Sequence, residues 1–92
     1  MTDEMILTLH PQGKSGKRIS RATYDLFKKT IEAELKGHEL THADLFERLN
    51  RRLKGKFDGN ISWYAETVKL DLEARNVLER TSTKPVTYRL KK

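Results

Sequence analysis

Apolar residues recur three or four positions apart in three stretches of this chain, which is the spacing of helices that bury one face. The first stretch predicts a helix over residues 20–36, with Ser20 as its N-cap and Gly37 as its stop. The buried stripe of this first helix is expected to consist of Tyr24, Phe27, Ile31 and Leu35.

The second and third stretches predict helices over residues 41–54 and 61–75. The second helix has the stronger start signal, because Thr41 and Asp44 form a capping-box pattern. The expected core faces are Leu45, Phe46, Leu49 and Leu53 on the second helix, and Ile61, Ala65, Val68 and Leu72 on the third.

Short β-strands are predicted on both sides of these helices. Met5–Leu9 has the apolar composition of a short strand, and a turn and a basic loop follow it as far as residue 19. Residues 77–90 predict two strands joined as a hairpin, and a short strand near Glu39–Leu40 would complete a three-stranded sheet. Because 92 residues support one core, we expect a single domain over the whole chain.

The segment Leu72–Arg80 resembles the end of the third helix and the start of the wing in winged helix-turn-helix domains. Their pattern is Leu-Glu-x-(Lys/Arg)-Gly followed by two hydrophobic residues and Glu-Arg. Here Asn76 stands in the glycine position, and asparagine is the next best residue after glycine for a positive φ. The resemblance implies an α+β fold with three helices, a C-terminal β-hairpin wing and a short N-terminal strand.

The charge of the chain favours a polyanionic partner but is unevenly distributed. The net charge is +6, yet residues 58–79 carry five acids and two bases, whereas residues 80–92 carry five bases and no acid. There is no cysteine and no apolar stretch of the ~20 residues that a membrane-spanning helix needs. We therefore expect a cytoplasmic protein without a membrane partner.

The residues give little sign of catalysis, so we expect a protein that is not an enzyme and has no cofactor or metal. His38 and His42 are four residues apart, but they lie on either side of a helix start and do not share one helical face. Glu66, Asp71 and Glu73 are interpreted as a solvated face of the third helix, without a companion group or a pocket.

Winged helix-turn-helix domains imply a way of binding double-stranded DNA, in which the third helix enters the major groove and the second helix crosses the backbone. On this hypothesis the second helix and the wing supply phosphate contacts, and a dimer supplies two half-site contacts. The hypothetical phosphate contacts are Arg48, Arg51, Arg52, Lys54, Lys56, Arg80, Lys84, Arg89, Lys91 and Lys92. The hypothetical base contacts are Ser62, Trp63, Thr67 and Lys69. The alternative is that these basic residues only solubilise a small domain.

The outward stripe of the third helix favours a second hypothesis, because it is apolar with acidic edges. A projection at 100° per residue places Trp63, Thr67, Leu70 and Ala74 opposite the core stripe. Carboxylates beside this stripe would repel phosphates, and an exposed tryptophan and leucine favour burial. The alternative function is therefore a protein-interaction or dimerisation module, with the third helix packed on a second copy, another protein or its own N-terminal strand.

The chain as a whole also resembles a small bacterial family of uncharacterised winged helix-turn-helix proteins, a domain of unknown function. The matching features are His10-Pro11, Ser20 to Tyr24, Trp63-Tyr64, Thr67 to Ala74, and Thr83 to Pro85. This resemblance implies the shape of the domain and brings no activity with it.

Overall fold

The computed structural model describes residues 4–10, 12–13 and 16–91, which form three helices and two small antiparallel sheets. The helices are α1 (Arg21–Leu35), α2 (His42–Leu53) and α3 (Ile61–Ala74). The strands are β1 (Met5–Leu7), β2 (Arg18–Ser20), β3 (Leu40–Thr41), β4 (Leu78–Arg80) and β5 (Thr87–Leu90). The expected α+β class is confirmed, and the arrangement is compatible with a winged helix.

The three helices lie within one residue of the predicted bounds because their caps are local. The Ser20 side chain accepts a hydrogen bond from the Thr23 backbone N–H, and that of Thr41 accepts one from the Asp44 N–H. Helix α3 begins in the same way at Asn60, whose side chain accepts from the Trp63 N–H. The sequence analysis did not identify this third cap.

Helix α3 ends at the predicted left-handed residue. Asn76 has φ 64°, and its N–H donates to the Glu73 carbonyl. The Val77 N–H donates to the Leu72 carbonyl at 2.9 Å, which completes a Schellman motif. This turn places β4 directly after α3.

One sheet joins the middle of the chain to its end. β5 pairs with β3 on one side and with β4 on the other, in the order β3-β5-β4. The predicted strand at Glu39–Leu40 is therefore present at Leu40–Thr41, and the predicted hairpin is β4–β5. The buried core between this sheet and the helices contains Phe27, Ile31, Leu35, Leu45, Leu49, Leu53, Ala65, Val68, Leu72, Leu78 and Tyr88.

The second sheet is an N-terminal hairpin that the sequence analysis did not predict. β2 covers residues that were expected in a basic loop, and it pairs antiparallel with β1 so that Ile6 is opposite Ile19. Gly16 lies against the backbone of Thr8, where an added Cβ would be 1.6 Å from the Thr8 carbonyl oxygen. Only glycine fits such an approach, and this long-range contact is why β2 escaped a prediction based on local pattern.

No helix in the described part of the chain is both long and apolar enough to cross a membrane.

Candidate nucleic-acid interface

The arginines of α2 lie at the surface, as predicted, but all three are in ion pairs. Arg48 and Arg52 contact the same carboxylate, Glu34 of α1, at 3.4 and 2.6 Å. Arg51 pairs with Glu47 one turn earlier at 2.7 Å. The arginine side chains remain about half or more exposed, but the Glu34 side chain is only 11% exposed, whereas that of Glu47 is 66% exposed. Of the three, only the Arg51–Glu47 pair is therefore a surface pair of the kind that contributes about 0–1 kcal/mol.

This face of α2 is slightly concave but is not strongly basic. The depression has a volume of about 550 Å³ and contains as many carboxylates as guanidinium groups. Its lining residues are Glu34, Asp44, Glu47, Arg48, Arg51 and Arg52. Because the charges balance, the depression itself is not a strong anion site.

Lysines provide the positive charge that is not neutralised in this way. Lys54 and Lys56 follow α2 directly, and both are exposed. Lys84, between β4 and β5, and Lys91, after β5, are also exposed. Within the described ranges none of these four lysines takes part in an ion pair. These four lysines can therefore contact phosphates without the loss of an ion pair inside the protein. Lys92, the remaining hypothetical phosphate contact, lies outside the described residues.

The two arginines of the β4–β5 hairpin are tied to neighbouring acids. Arg80 contacts both carboxylate oxygens of Glu73 at 3.2 Å, and this hydrogen bonding raises the pKa of the Arg80 guanidinium above its usual value. Arg89 lies 3.7 Å from Glu39 and 3.4 Å from Glu79. The hairpin is therefore less positive than its arginines alone indicate.

The hypothetical base contacts on α3 are not equally exposed. Ser62 is exposed, and Trp63 is 43% exposed with its ring edge-on to Tyr64. Thr67 is half-buried, and its hydroxyl already donates to the Trp63 carbonyl at 2.9 Å. The first turn of α3 is thus the part of this helix most open to a ligand.

The prediction that Lys69 faces outward to contact bases was wrong, because this side chain is only 2% exposed. Its Nζ donates to the Tyr88 hydroxyl at 3.1 Å and lies 4.2 Å from the centroid of the Tyr88 ring. Glu66 and Glu73, one turn to either side, lie 3.5 and 3.8 Å from the ammonium group. Lys69 therefore connects α3 to β5 in the interior and cannot reach DNA from this position.

The interpretation of the three acids of α3 as a solvated face was also wrong for two of them. Asp71 is fully buried, and the Glu73 side chain is only 9% exposed, whereas Glu66 is 42% exposed. Asp71 accepts hydrogen bonds from the Tyr24 hydroxyl of α1 and from the Leu9 backbone N–H at 2.8 Å. A third donor, the Arg75 Nε, lies 3.0 Å from both carboxylate oxygens of Asp71.

The environment of Asp71 has clear electrostatic consequences. Burial, followed by the hydrogen bond to Asp71, raises the pKa of the Tyr24 hydroxyl well above its usual value, so this group stays protonated and remains a donor. The hydrogen bond to Asp71 also raises the pKa of the Arg75 guanidinium. Asp71, Tyr24, Arg75 and the Leu9 backbone N–H together connect α1, α3 and the N-terminal segment.

The outward stripe of α3 is less open than the sequence analysis indicated. Leu70 and Ala74 are half-buried, so that Trp63 is the one large apolar side chain of the stripe that is exposed. The hydrogen bond from Leu9 to Asp71 brings the N-terminal segment against the last turns of α3. Leu9 follows β1, and β1 itself packs against β2 and α1. The alternative in which α3 packs under its own N-terminal strand stays a prediction.

One sequence signal could have identified the buried charges of α3. Apolar residues surround this helix on nearly all sides, with Trp63, Tyr64, Leu70 and Ala74 outside the core stripe. Such a helix is enclosed by its neighbours, and polar residues on it are then expected to be paired in the interior. Tyr24 and Tyr88 are the partners that spacing along one helix could not reveal, whereas Arg75 is four residues after Asp71 and could have been identified from that spacing.

Among the residues that the structure describes, no three histidine, aspartate or glutamate side chains come together as a metal site would require.

Comparison with known proteins gives one match. A protein-family model described as a family of unknown function (DUF6958) matches residues 5–88, from β1 to β5. No curated protein and no solved structure matches the chain.

Proposed function

We propose that this chain, which belongs to the DUF6958 family, binds the phosphate backbone of double-stranded DNA. The observation that supports this proposal is a set of exposed lysines that form no ion pair with any residue the structure describes. They lie after α2, between β4 and β5, and after β5, and are Lys54, Lys56, Lys84 and Lys91. Lysines of this kind replace the counterions that surround a duplex, and their release favours binding.

The arginines of α2 would add to this interface on contact with DNA. Arg48, Arg51 and Arg52 are exposed, and the surface pair of Arg51 with Glu47 is weak enough for a phosphate to compete with it. Arg48 and Arg52 share the largely buried Glu34, so one of them can neutralise this carboxylate while the other binds a phosphate. A guanidinium can bind a phosphate through two parallel hydrogen bonds. The α2 arginines would then contribute more to DNA binding than their ion pairs in the free protein indicate.

Recognition of the DNA base sequence by α3 would be limited. With Lys69 in the interior, the exposed groups of the first turn are Ser62 and Trp63, and neither is a charged donor to a base edge. Glu66, which is partly exposed on the same helix, would oppose close approach to phosphates. We therefore propose binding that depends mainly on the DNA backbone and only weakly on base sequence.

Fluorescence anisotropy of a labelled random-sequence duplex tests this proposal, with protein titrated at about 50 mM and about 200 mM salt. The wild-type protein is expected to bind at the lower salt and to weaken steeply at the higher. The variant Lys54→Ala/Lys56→Ala should lower the slope of log K against log salt by about 1.8, because each phosphate contact contributes about 0.9. Lys84→Ala should lower the same slope by about 0.9.

Lys17→Ala/Arg18→Ala is the matched control, since it also removes two exposed positive charges but from the N-terminal hairpin. This control should keep nearly the wild-type slope. An equal effect of the two double variants would show that only total charge matters and would contradict the assigned interface. Absence of wild-type binding at the lower salt would contradict the DNA proposal altogether.

A second candidate function is protein binding through α3, and the exposure of Trp63 favours it. An indole that is 43% exposed on the first turn of a helix is a typical anchor for a protein partner. Leu70 and Ala74 would contribute less than the sequence indicated, since both are half-buried. On this proposal the partner is a second copy or another protein that covers the indole ring.

Trp63 is the only tryptophan in the chain, so its fluorescence reports directly on this surface. If a second copy covers it, the emission maximum should shift to shorter wavelength as the protein concentration rises, and Trp63→Ala should remain monomeric. The thermal midpoint of Trp63→Ala should fall only slightly, because much of the ring is already in water. An emission maximum that does not change with concentration would argue against self-association through α3.

A further inference from the structure

Strand β1 has one edge that is paired and one that is open. The Thr8 N–H donates to the Lys17 carbonyl at 2.9 Å, and the Arg21 N–H donates to the Glu4 carbonyl at 2.7 Å. In an antiparallel pair these groups alternate, so Met5 and Leu7 direct their N–H and C=O groups away from β2. Within the described residues, β2 is the single strand that pairs with β1.

Apart from its short length of three residues, the open edge of β1 has none of the features that normally protect such an edge. Natural sheets place lysine, proline or a bulge on an exposed edge strand, whereas β1 reads Met-Ile-Leu. The open part of the edge ends before Leu9. The Leu9 N–H is the next one directed away from β2, and it already donates to the buried Asp71 carboxylate at 2.8 Å. The length of edge that another strand could use is therefore limited to residues 5–7.

The side chains beside this edge form an exposed apolar row. Met5 is 51% exposed, Leu7 is 58% exposed and Leu9 is 43% exposed. Alternate residues of a strand share one face, so all three lie on the same side of the hairpin. These three are most of the large apolar side chains exposed anywhere in the described structure, which marks this surface as one that is normally covered.

We propose that β1 pairs with β1 of a second copy in antiparallel orientation, about a two-fold axis beside Ile6. Met5 of each copy is then opposite Leu7 of the other, and both residues form hydrogen bonds with their outward N–H and C=O groups. The two hairpins become one four-stranded sheet in the order β2-β1-β1-β2. A two-fold axis lets the same short edge satisfy itself, which is the usual geometry of a homodimer interface.

Charge favours a second copy in this orientation over an unrelated strand. Glu4, with a 71% exposed side chain, lies at one end of the hairpin, and the exposed Lys17 lies at the other, next to Thr8. Antiparallel self-pairing places Glu4 opposite Thr8 of the second copy, one strand away from that copy's Lys17. Opposite charges therefore lie one strand apart at both ends of the interface, and Glu4 keeps its ion pair with Arg21 at 3.3 Å. A parallel arrangement would instead place like charges of the two copies side by side.

The stability of the hairpin provides a further reason. An isolated two-stranded hairpin is marginally stable in water, and three or more strands are generally needed for an independent sheet. β1 and β2 have only three residues each, although α1 and the Asp71 contact support them. Extension to four strands would add backbone hydrogen bonds and cover Met5 and Leu7 at the same time.

Sedimentation velocity from about 10 µM to about 1 mM protein tests the dimer, since a short interface of this type corresponds to a dissociation constant within that range. The wild-type chain should change from monomer to dimer over this range. Leu7→Pro removes an outward N–H and leaves the β1–β2 hydrogen bonds of Ile6 and Thr8 in place, so it should raise the dissociation constant at least about tenfold. Far-UV circular dichroism checks that this variant is folded.

Leu7→Lys provides a second test that, unlike proline, does not restrict the backbone. It places one positive charge from each copy beside the two-fold axis, where the two charges repel each other. It should also give a monomer, whereas Val86→Lys, at an apolar residue on the other hairpin that is 39% exposed, should dimerise as wild type does. A wild-type chain that stays monomeric at about 1 mM would overturn the proposal and leave the edge to a different partner. Dimerisation that survives Leu7→Lys but is lost in Trp63→Ala would overturn it in favour of the α3 surface.

Discussion

Replacement of Asp71 by alanine is expected to lower the free energy of unfolding by about 3 kcal/mol, because it leaves buried donors without an acceptor. The Tyr24 hydroxyl loses its partner inside the protein, and the Leu9 N–H loses the contact that holds the N-terminal hairpin against α3. Urea denaturation followed by circular dichroism measures the change. The substitution should also increase the rate of amide hydrogen exchange more at Leu9 than at residues in the centre of α1.

Glu47→Ala is the matched control, since it removes a carboxylate that pairs with an arginine four residues away, as Asp71 does, but at the surface. The expected change for this control is within about 0.5 kcal/mol. A similar small change for Asp71→Ala would mean that the buried cluster does not hold α1, α3 and the N-terminal segment together. Asp71→Asn should lie between the two, because an amide oxygen can still accept one hydrogen bond.

Replacement of Lys69 by methionine is expected to lower the free energy of unfolding by about 2 kcal/mol, although methionine fills nearly the same volume. The substitution removes the donor to the Tyr88 hydroxyl and one of the two cations beside Glu73. Arg80 still neutralises part of that charge, so the loss should be smaller than for Asp71→Ala. Thermal and urea unfolding both measure this effect.

The control for Lys69 is Lys54→Met, the same chemical change at an exposed lysine that has no ion pair in the described part of the chain. It should change stability by less than about 0.5 kcal/mol but should weaken DNA binding. Equal stability of the two variants would contradict the interior role of Lys69. These opposite expectations separate a lysine that connects α3 to the hairpin from one that is proposed to contact phosphate.

The two buried clusters bear directly on the proposed function. Asp71 fixes α3 to α1 and the N-terminal segment, while Lys69 and Glu73 fix it to β4 and β5. Helix α3 and the β4–β5 hairpin are therefore expected to approach a duplex as one rigid unit. On this basis we expect Lys84, between β4 and β5, to keep a constant position relative to α3, without reorganisation of the hairpin.

The three helices followed from local signals. Ser20 and Thr41 start their helices through hydrogen bonds three residues away, and Asn76 ends α3 through its own positive φ. Because each of these interactions lies within six residues, the sequence contains all the information needed to predict it. The same holds for the core stripes, whose spacing reflects the helical repeat.

The chemistry of α3 did not follow from local signals. Projection of the helix placed Lys69 and Asp71 outside the core stripe, which predicted contact with water or DNA. Their actual partners are Tyr88 and Tyr24, which are 19 and 47 residues away in the chain. A helical projection treats everything beyond one stripe as solvent, and so it fails for a helix enclosed on several sides.

The sequence by itself determined the three helices, their ends, the hairpin β4–β5 and the α+β class, because caps, turns and apolar spacing act over a few residues. Only the tertiary structure decided which charges remain available to a partner. Lys54 and Lys84 are exposed and form no ion pair within the described ranges, Arg52 is paired to Glu34, and Lys69 is buried, although each of the four carries one positive charge in the sequence. The difference arises because the environment of a charge is set by residues that are distant in the chain and adjacent only after folding.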